Sequence, residues 1–206
     1  NALIAEGVDD IFKLVGLDKP NIGLLSPEFM EDVANMKEKN LAVDLLERLL
    51  RDEIKARMKT DVVSEKKYSD RILETLRKYH NRAIETAQVI EELIKMAKDM
   101  AADAEMAENS GLNTDEIAFY RALIQNESAV RELGDDSLRS LAKEVTEKLR
   151  KSTTVDWQVR DSVRAKLRNL VRRALRKFKY PPDKADEAIE LCLKQAEALS
   201  NSWTQE

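Results

Sequence analysis

Trp157-Gln-Val-Arg-Asp-Ser-Val-Arg-Ala-Lys-Leu-Arg-Asn-Leu-Val-Arg-Arg-Ala-Leu-Arg-Lys-Phe-Lys-Tyr180 decides how the rest of the chain is read. Val163, Leu167, Leu170, Val171, Ala174, Leu175 and Phe178 recur at the spacing that winds one apolar stripe down an α-helix. Such a stripe belongs in a core. The other faces carry Arg160, Arg164, Lys166, Arg168, Arg172, Arg173, Arg176, Lys177 and Lys179 against the single acid Asp161, in a chain whose net charge is −4. Two answers to that local charge are open. One is neutralisation by acidic helices alongside and by solvent; the other is contact with phosphate or with an acidic protein surface. The candidate contact residues are therefore Arg164, Lys166, Arg168, Arg172, Arg173, Arg176, Lys177 and Lys179.

Working outward, Pro181-Pro182 stops the basic helix, and Ala185, Ala188, Ile189, Cys192, Ala196 and Leu199 give the stripe of a last one. Upstream, Leu138, Leu141, Ala142, Val145 and Leu149 mark a helix, and Asn113-x-x-Glu116 has the form of a capping box opening a helix through Gln125. Glu108-Asn-Ser-Gly111 is the best internal boundary, because Gly or Asn past a last turn is the usual helix stop. Charge changes sign there as well: residues 1–108 hold 23 acids and 17 bases, a net of −6, and the remainder is net +2. The expected organisation is one helical subdomain over 1–110 and another over 111–206, the second containing the basic helix at 158–180.

In the first half, Leu3 to Val15 reads as a short helix and Gly16 to Gly23 as a loop, and Ser26-Pro27-Glu28 has the cap, the proline and the acid of a helix start. The run Leu41 to Met58 has a stripe broad enough to be packed from two sides. Ser64 is expected to start a helix on which Tyr68, Ile72, Leu76 and Tyr79 align. The longest helix is expected from Asn81 to about Met106, about 39 Å long, with Ala83, Ala87, Ile90, Ile94, Ala97, Ala101 and Ala104 on one face and Leu93, Met96 and Met100 beside them. Only 5 glycines and 4 prolines occur, too few for a strand-and-turn fold, and no alternating segment is present. The fold class is all-α: an irregular bundle of about eight to nine helices, with room for two subdomains.

Signals for chemistry are sparse. None of the 5 glycines belongs to a phosphate-binding loop pattern. One His and one Cys, His80 and Cys192, cannot form a common zinc site or a nucleophile pair, and a lone cysteine suits a reducing, cytoplasmic setting. Asp52-Glu53-Ile54-Lys55 has the letters of a Mg²⁺-dependent nuclease motif, but it lies in a helical pattern, where those side chains diverge. Trp157 and Trp203 could stack on bases, though Trp157 heads a helix and is expected to anchor it. No apolar run approaches the roughly 18 residues of a membrane span, and no membrane partner is expected. Asn1-Ala2 in place of an initiator Met fits a piece of a longer protein.

Leu41-Ala-Val-Asp-Leu-Leu-Glu-Arg-Leu-Leu-Arg-Asp-Glu-Ile-Lys-Ala-Arg57, Ser64-Glu-Lys-Lys-Tyr-Ser69, Gln88-Val-Ile-Glu-Glu-Leu-Ile94, Gly111-Leu-Asn-Thr-Asp-Glu-Ile-Ala-Phe-Tyr-Arg-Ala-Leu123 and Val155-Asp-Trp157 through Tyr180-Pro-Pro-Asp183 resemble, in order, the C-terminal helical region of the restriction (R) subunit of type I restriction–modification enzymes. The resemblance implies a fragment of an ATP-dependent DNA translocase and site-specific deoxyribonuclease, a hydrolase whose nuclease and motor domains precede this region. ATP and Mg²⁺ would then serve those other domains, with no cofactor in this fragment. It also implies a non-catalytic part that docks the R subunit on the methyltransferase core and braces the motor; guiding DNA is a role open to the basic helix on its charge. No family catalytic residue has a matching position here. The alternative reading is an independent helical module that binds nucleic acid or protein, with weak DNA affinity given a pI near 5.4.

Overall fold

A computed structural model of the chain describes residues 26–152 and 161–203, and the regular structure within them is all helical. The elements are α1 (Pro27–Ala34), α2 (Lys39–Arg57), α3 (Val62–His80), α4 (Thr86–Glu108), α5 (Thr114–Leu123), α6 (Glu127–Ser152), α7 (Asp161–Lys177), a short 3₁₀ turn (Pro182–Lys184) and α8 (Ala185–Trp203). The helix expected over Leu3–Val15, the Gly16–Gly23 loop, and Trp157 and Arg160 at the head of the basic stretch lie outside the described residues. Two compact units are formed, one from residues 26–57 with 66–106, the other from 58–65 with 107–152 and 161–203.

In the first unit, α1 begins as its sequence dictates: Ser26 Oγ accepts the Phe29 N–H at 3.2 Å and Pro27 takes the first helical position. α2 buries Ala42, Val43, Leu45, Leu46, Leu49, Leu50 and Ile54, residues too widely spread around the helix to belong to a single narrow stripe. On α3, Tyr68, Ile72 and Leu76 are buried, while Tyr79 lies at the edge and donates its hydroxyl to Asn40 Oδ1 at 3.0 Å. Polar side chains then tie α3 to α4. Lys67 Nζ reaches Asp103 at 2.8 Å, the Tyr68 hydroxyl donates to the same carboxylate, Arg71 meets Asp99 at 2.6 Å, and Thr75 donates to Glu92 at 2.9 Å.

Two expectations for α4 are corrected. The helix begins at Thr86 and not at Asn81, because α3 ends in a Schellman motif: Arg82 takes φ +56°, its N–H bonds Tyr79 O at 2.9 Å, and the Ala83 N–H bonds Lys78 O at 2.8 Å. A residue in the left-handed region cannot continue the helix. The buried seam is Val89, Ile90, Leu93, Met96, Ala97 and Met100, whereas Ala83, Ala87 and Ala101 face solvent. Larger side chains remove more apolar surface from water, so the helix centres Leu93, Met96 and Met100 on the buried face and leaves Ala87 and Ala101 outside.

In the second unit, the capping box expected at Asn113 is formed in both directions, with Glu116 N–H on Asn113 Oδ1 and Asn113 N–H on Glu116 Oε2, each 2.9 Å. α5 ends at Leu123, two residues short of Gln125. α6 opens on buried Asn126, whose Oδ1 accepts the Ser128 N–H at 3.0 Å while its Nδ2 donates to Asp183 at 3.1 Å. The apolar face of α7 is placed as its periodicity requires: Leu167, Val171, Ala174 and Leu175 are buried, with Val163, Leu170 and Phe178 packed at the margin of the same core. Phe119, Leu123, Leu141, Val145, Leu149, Ile189 and Leu193 fill the rest of that core.

α6 is two helical pieces joined at Gly134, which has φ +71° and ψ +169°. That combination is open to glycine almost alone. Just past the joint, Asp135 accepts the Tyr120 hydroxyl at 2.6 Å and Arg139 Nε at 2.7 Å, and Arg139 also donates to Ser110 O. The Tyr120 hydroxyl and Arg139 hold the Asp135 carboxyl below its usual range, and burial chiefly pushes the Tyr120 phenol up to about 12. A methyl group at Gly134 would meet no atom within 4 Å, so the penalty for Gly134→Ala is backbone strain alone. The expected loss is about 2 kcal/mol, read as a lower urea midpoint with an unchanged m-value.

Candidate functional site

The basic helix presents its cations in two sets. Arg168 Nη2 contacts Glu190 Oε1 at 2.5 Å, Arg164 Nη2 lies 3.9 Å from the other oxygen of the same carboxylate, and Arg172 Nη2 lies 3.4 Å from Asp186 Oδ1. Both acids belong to α8. On the opposite flank Lys177 Nζ reaches Glu144 Oε2 of α6 at 2.6 Å, and Lys148 holds the other oxygen of Glu144 at 2.5 Å. Lys148 first and Lys177 second lower the Glu144 carboxyl below its usual range. Arg164, Arg168, Arg172 and Lys177 are thus answered by acids of neighbouring helices. These pairs are 35–65% exposed on the cation side, so each contributes well under about 1 kcal/mol and they serve mainly to position side chains.

Lys166, Arg173, Arg176 and Lys179 are exposed and have no acidic partner among the described residues. Lys166, Arg173 and Arg176 stand seven and three residues apart, which sets them along one edge of α7, with the exposed Asn169 between them and the exposed Ser162 and Ala165 just before Lys166. Lys179 lies just past the helix at φ +57°. Its N–H bonds Arg176 O at 3.1 Å and the next N–H, of Tyr180, bonds Leu175 O at 2.9 Å, a second Schellman ending with a cation in the left-handed position. The Tyr180 hydroxyl, buried, donates to Leu123 O at 2.7 Å and anchors this end of the helix on α5. The eight candidate residues named from the sequence are therefore all placed, but on different faces and in different electrostatic states.

The remaining candidates find structural places. Cys192 is fully buried and burial pushes its thiol up to about 12, the state of a small hydrophobe. His80 is exposed at the last turn of α3. Asp52-Glu53-Ile54-Lys55 lies on α2 with Glu53 buried, Asp52 half-buried and Lys55 exposed, so its charged groups do not converge. Among the described residues no three His, Cys, Asp or Glu side chains cluster as a metal site would need, and no helix is long and apolar enough to cross a membrane.

Two features escaped sequence reasoning. Trp203 is not a free tail residue: it is the last residue of α8, stacks on Phe119 with centroids 6.2 Å apart, and donates Nε1–H to Asp115 Oδ2 at 2.6 Å. Buried Asp61, next to the start of α3, accepts the Ser64 N–H at 3.0 Å and the guanidinium of Arg121, so Asp61 and not Ser64 is the cap. Fully buried Gln195 completes that turn, accepting the Val62 N–H at 3.0 Å and donating to Thr60 O. An Asp three residues before a Ser is a weak cap signal; nothing in the sequence points to Gln195.

Comparison with known proteins gives a consistent picture. Residues 1–202 match the family described as type I restriction enzyme HindI endonuclease subunit-like, C-terminal. The chain is 46% identical over 200 residues to the type I restriction enzyme HindI endonuclease subunit of Haemophilus influenzae, covering 97% of this chain and 19% of that protein. It is 30% identical over 168 residues to the "Putative type I restriction enzyme MjaIXP endonuclease subunit" of Methanocaldococcus jannaschii, covering 81% of this chain and 16% of that protein. No solved structure matches it.

Proposed function

The chain belongs to the family of type I restriction enzyme HindI endonuclease subunit-like C-terminal regions, and from that premise we propose that it is a non-catalytic docking module of such a subunit, holding it to the methyltransferase core and bracing the motor domains. The observation that carries this reading is coverage. The match takes in 97% of this chain but 19% of an endonuclease subunit, so the chain corresponds to one helical region of a much longer polypeptide. Side chains of the second unit fit a structural and binding role: several of its titratable groups serve caps, ion pairs and helix ties, and a surface helix presents its cations. ATP and Mg²⁺ belong, on this reading, to the domains of the parent that carry translocation and cleavage.

Co-elution of the 206-residue chain with a cognate methyltransferase core, without DNA, tests docking directly. The expected result is a stable co-eluting peak at about 200 mM salt, since exposed charge pairs separated by more than the ~7 Å screening length contribute little there and a docking interface rests on burial. If the intact R subunit co-elutes while this chain does not, the docking assignment fails and the region is an internal brace of the subunit.

A further inference from the structure

We infer that Lys166, Arg173, Arg176 and Lys179 form a contact for the phosphate backbone of duplex DNA, while Arg164, Arg168, Arg172 and Lys177 hold the helix that presents them. The inference rests on the family reading above for the presence of DNA beside the subunit, and on the geometry of α7 for everything else. The four acid-paired cations lie on the flanks, bound to Glu190, Asp186 and Glu144. Neutralised there, they leave the positive potential of the helix concentrated along the solvent edge. The other four have no acidic partner among the described residues, so binding an anion breaks no existing ion pair at them.

Lys166 and Arg176 are ten residues apart, about 15 Å along the helix axis, a span over which duplex DNA presents a phosphate on each strand every ~3.4 Å. The edge is stiff because the opposite face, with Leu167, Val171 and Leu175, is fixed in the core of the unit. An acidic protein surface fits this edge less well. Interface hot spots are desolvated aromatic or apolar anchors ringed by polar groups, and the exposed residues beside these cations on α7 are Ser162, Ala165 and Asn169, with no large hydrophobic among them. Base reading is not expected either. Asn169, the amide on this edge, lies beside Arg172 with its Oδ1 3.5 Å from Nη1, and phosphate contacts carry no sequence information.

Fluorescence anisotropy of the 206-residue chain with a labelled duplex of about 20 base pairs, two helical turns, provides the test. With four phosphates neutralised, the slope of log K against log salt is about −3.6, so affinity falls roughly 150-fold between about 50 mM and about 200 mM salt. The variant carrying Lys166→Gln, Arg173→Gln, Arg176→Gln and Lys179→Gln should bind at least tenfold more weakly at about 50 mM salt, with most of that slope gone. The variant carrying Arg172→Gln and Lys177→Gln should change the slope by less than about one. Circular dichroism checks that both variants are folded. Equal binding by the fourfold variant and the parent overturns the inference, and so does parent binding that is undetectable at about 50 mM salt. Competition by poly-glutamate as effective as that by unlabelled duplex would assign the edge to an acidic protein and overturn it as well. Docking is read separately: if the fourfold variant co-elutes with the methyltransferase core and has lost DNA, both conclusions stand, and if the parent co-elutes yet ignores DNA, only the phosphate contact falls.

Discussion

The Asp61→Ala chain is expected to lose about 3 kcal/mol in the stability of the unit formed by 58–65, 107–152 and 161–203. Asp61 is 7% exposed and both of its carboxylate oxygens are used, one on the Ser64 N–H of the first turn of α3 and one on Arg121 of α5. Alanine removes the cap, worth about 1 kcal/mol, and takes the carboxylate away from a guanidinium that is itself only 22% exposed. The second loss is the larger, because a charge held in a partly desolvated site keeps its solvation cost when its counter-charge goes. Asp61→Asn separates the two: it keeps an oxygen for the Ser64 N–H and gives up the charge, so it should fall between parent and alanine. Cys192 provides the reading. Fully buried in the same unit, its thiol reacts with a disulfide reagent only when the unit opens. A loss of about 3 kcal/mol raises the open population, and hence the labelling rate in the fast-closing regime, by roughly 150-fold. Labelling of Asp61→Ala at the parent rate would mean that the Asp61–Arg121 pair adds nothing to this unit.

What was legible in the sequence is what depends on neighbours along the chain. The stripes of α2, α7 and α8, the Ser26 cap and the Asn113 box all follow from residues within one or two turns of one another, and all are formed. The start of α3 is different. Its cap acid is bound by a residue 60 positions away, and the glutamine that satisfies its first N–H is 133 positions away. No composition shift marks 58–65, because what joins this segment to its unit is one partly buried side chain, Val63, and hydrogen bonds with single polar side chains on α5 and α8. The first part of α6 was unread for another reason. Between Glu127 and Leu133 it buries Ala129 and half-buries Leu133, too little apolar material to show a period, and it is then broken at Gly134.

The same distinction divides the basic helix. Sequence alone set out eight candidate contact residues and two answers to their charge, and four of the eight meet an acid of a neighbouring helix. Lys177 is neutralised by an acid 33 residues upstream and Arg172 by one 14 residues downstream, across a turn whose course depends on Pro181-Pro182. Which cations meet an acid is decided by how α6 and α8 lean on α7, and periodicity within α7 carries no record of that. Lys179 shows the limit most sharply. Read as one more turn of helix, it would sit on the same ladder as Arg176; at φ +57° it instead ends the helix, placed by the two Schellman hydrogen bonds and the anchored Tyr180.

Replacing Phe119 by alanine is expected to cost about 4 kcal/mol, more than the loss of Asp61 and in the range for emptying a fully buried aromatic site. Phe119 is 0% exposed on α5, and its ring lies at 19° to that of Trp203, with centroids 6.2 Å apart. Its loss would leave a cavity walled by α5 and α8, elements whose backbones are fixed by the Asn113 capping box and by Gln195, so the site has little freedom to collapse. Trp203→Ala should cost less, about 2 kcal/mol, because Trp203 is only partly buried and part of its contribution is one hydrogen bond to Asp115. The pair is coupled. Once Phe119 is alanine, Trp203 has lost the ring it stacks on, so the double variant should be less destabilised than the sum of the two singles by about 1 kcal/mol. Urea denaturation of the four chains, followed by near-ultraviolet circular dichroism and by Cys192 labelling, measures that term. Strict additivity would mean that the indole is held by Asp115 alone, and that the end of α8 is free to leave the core without disturbing α5.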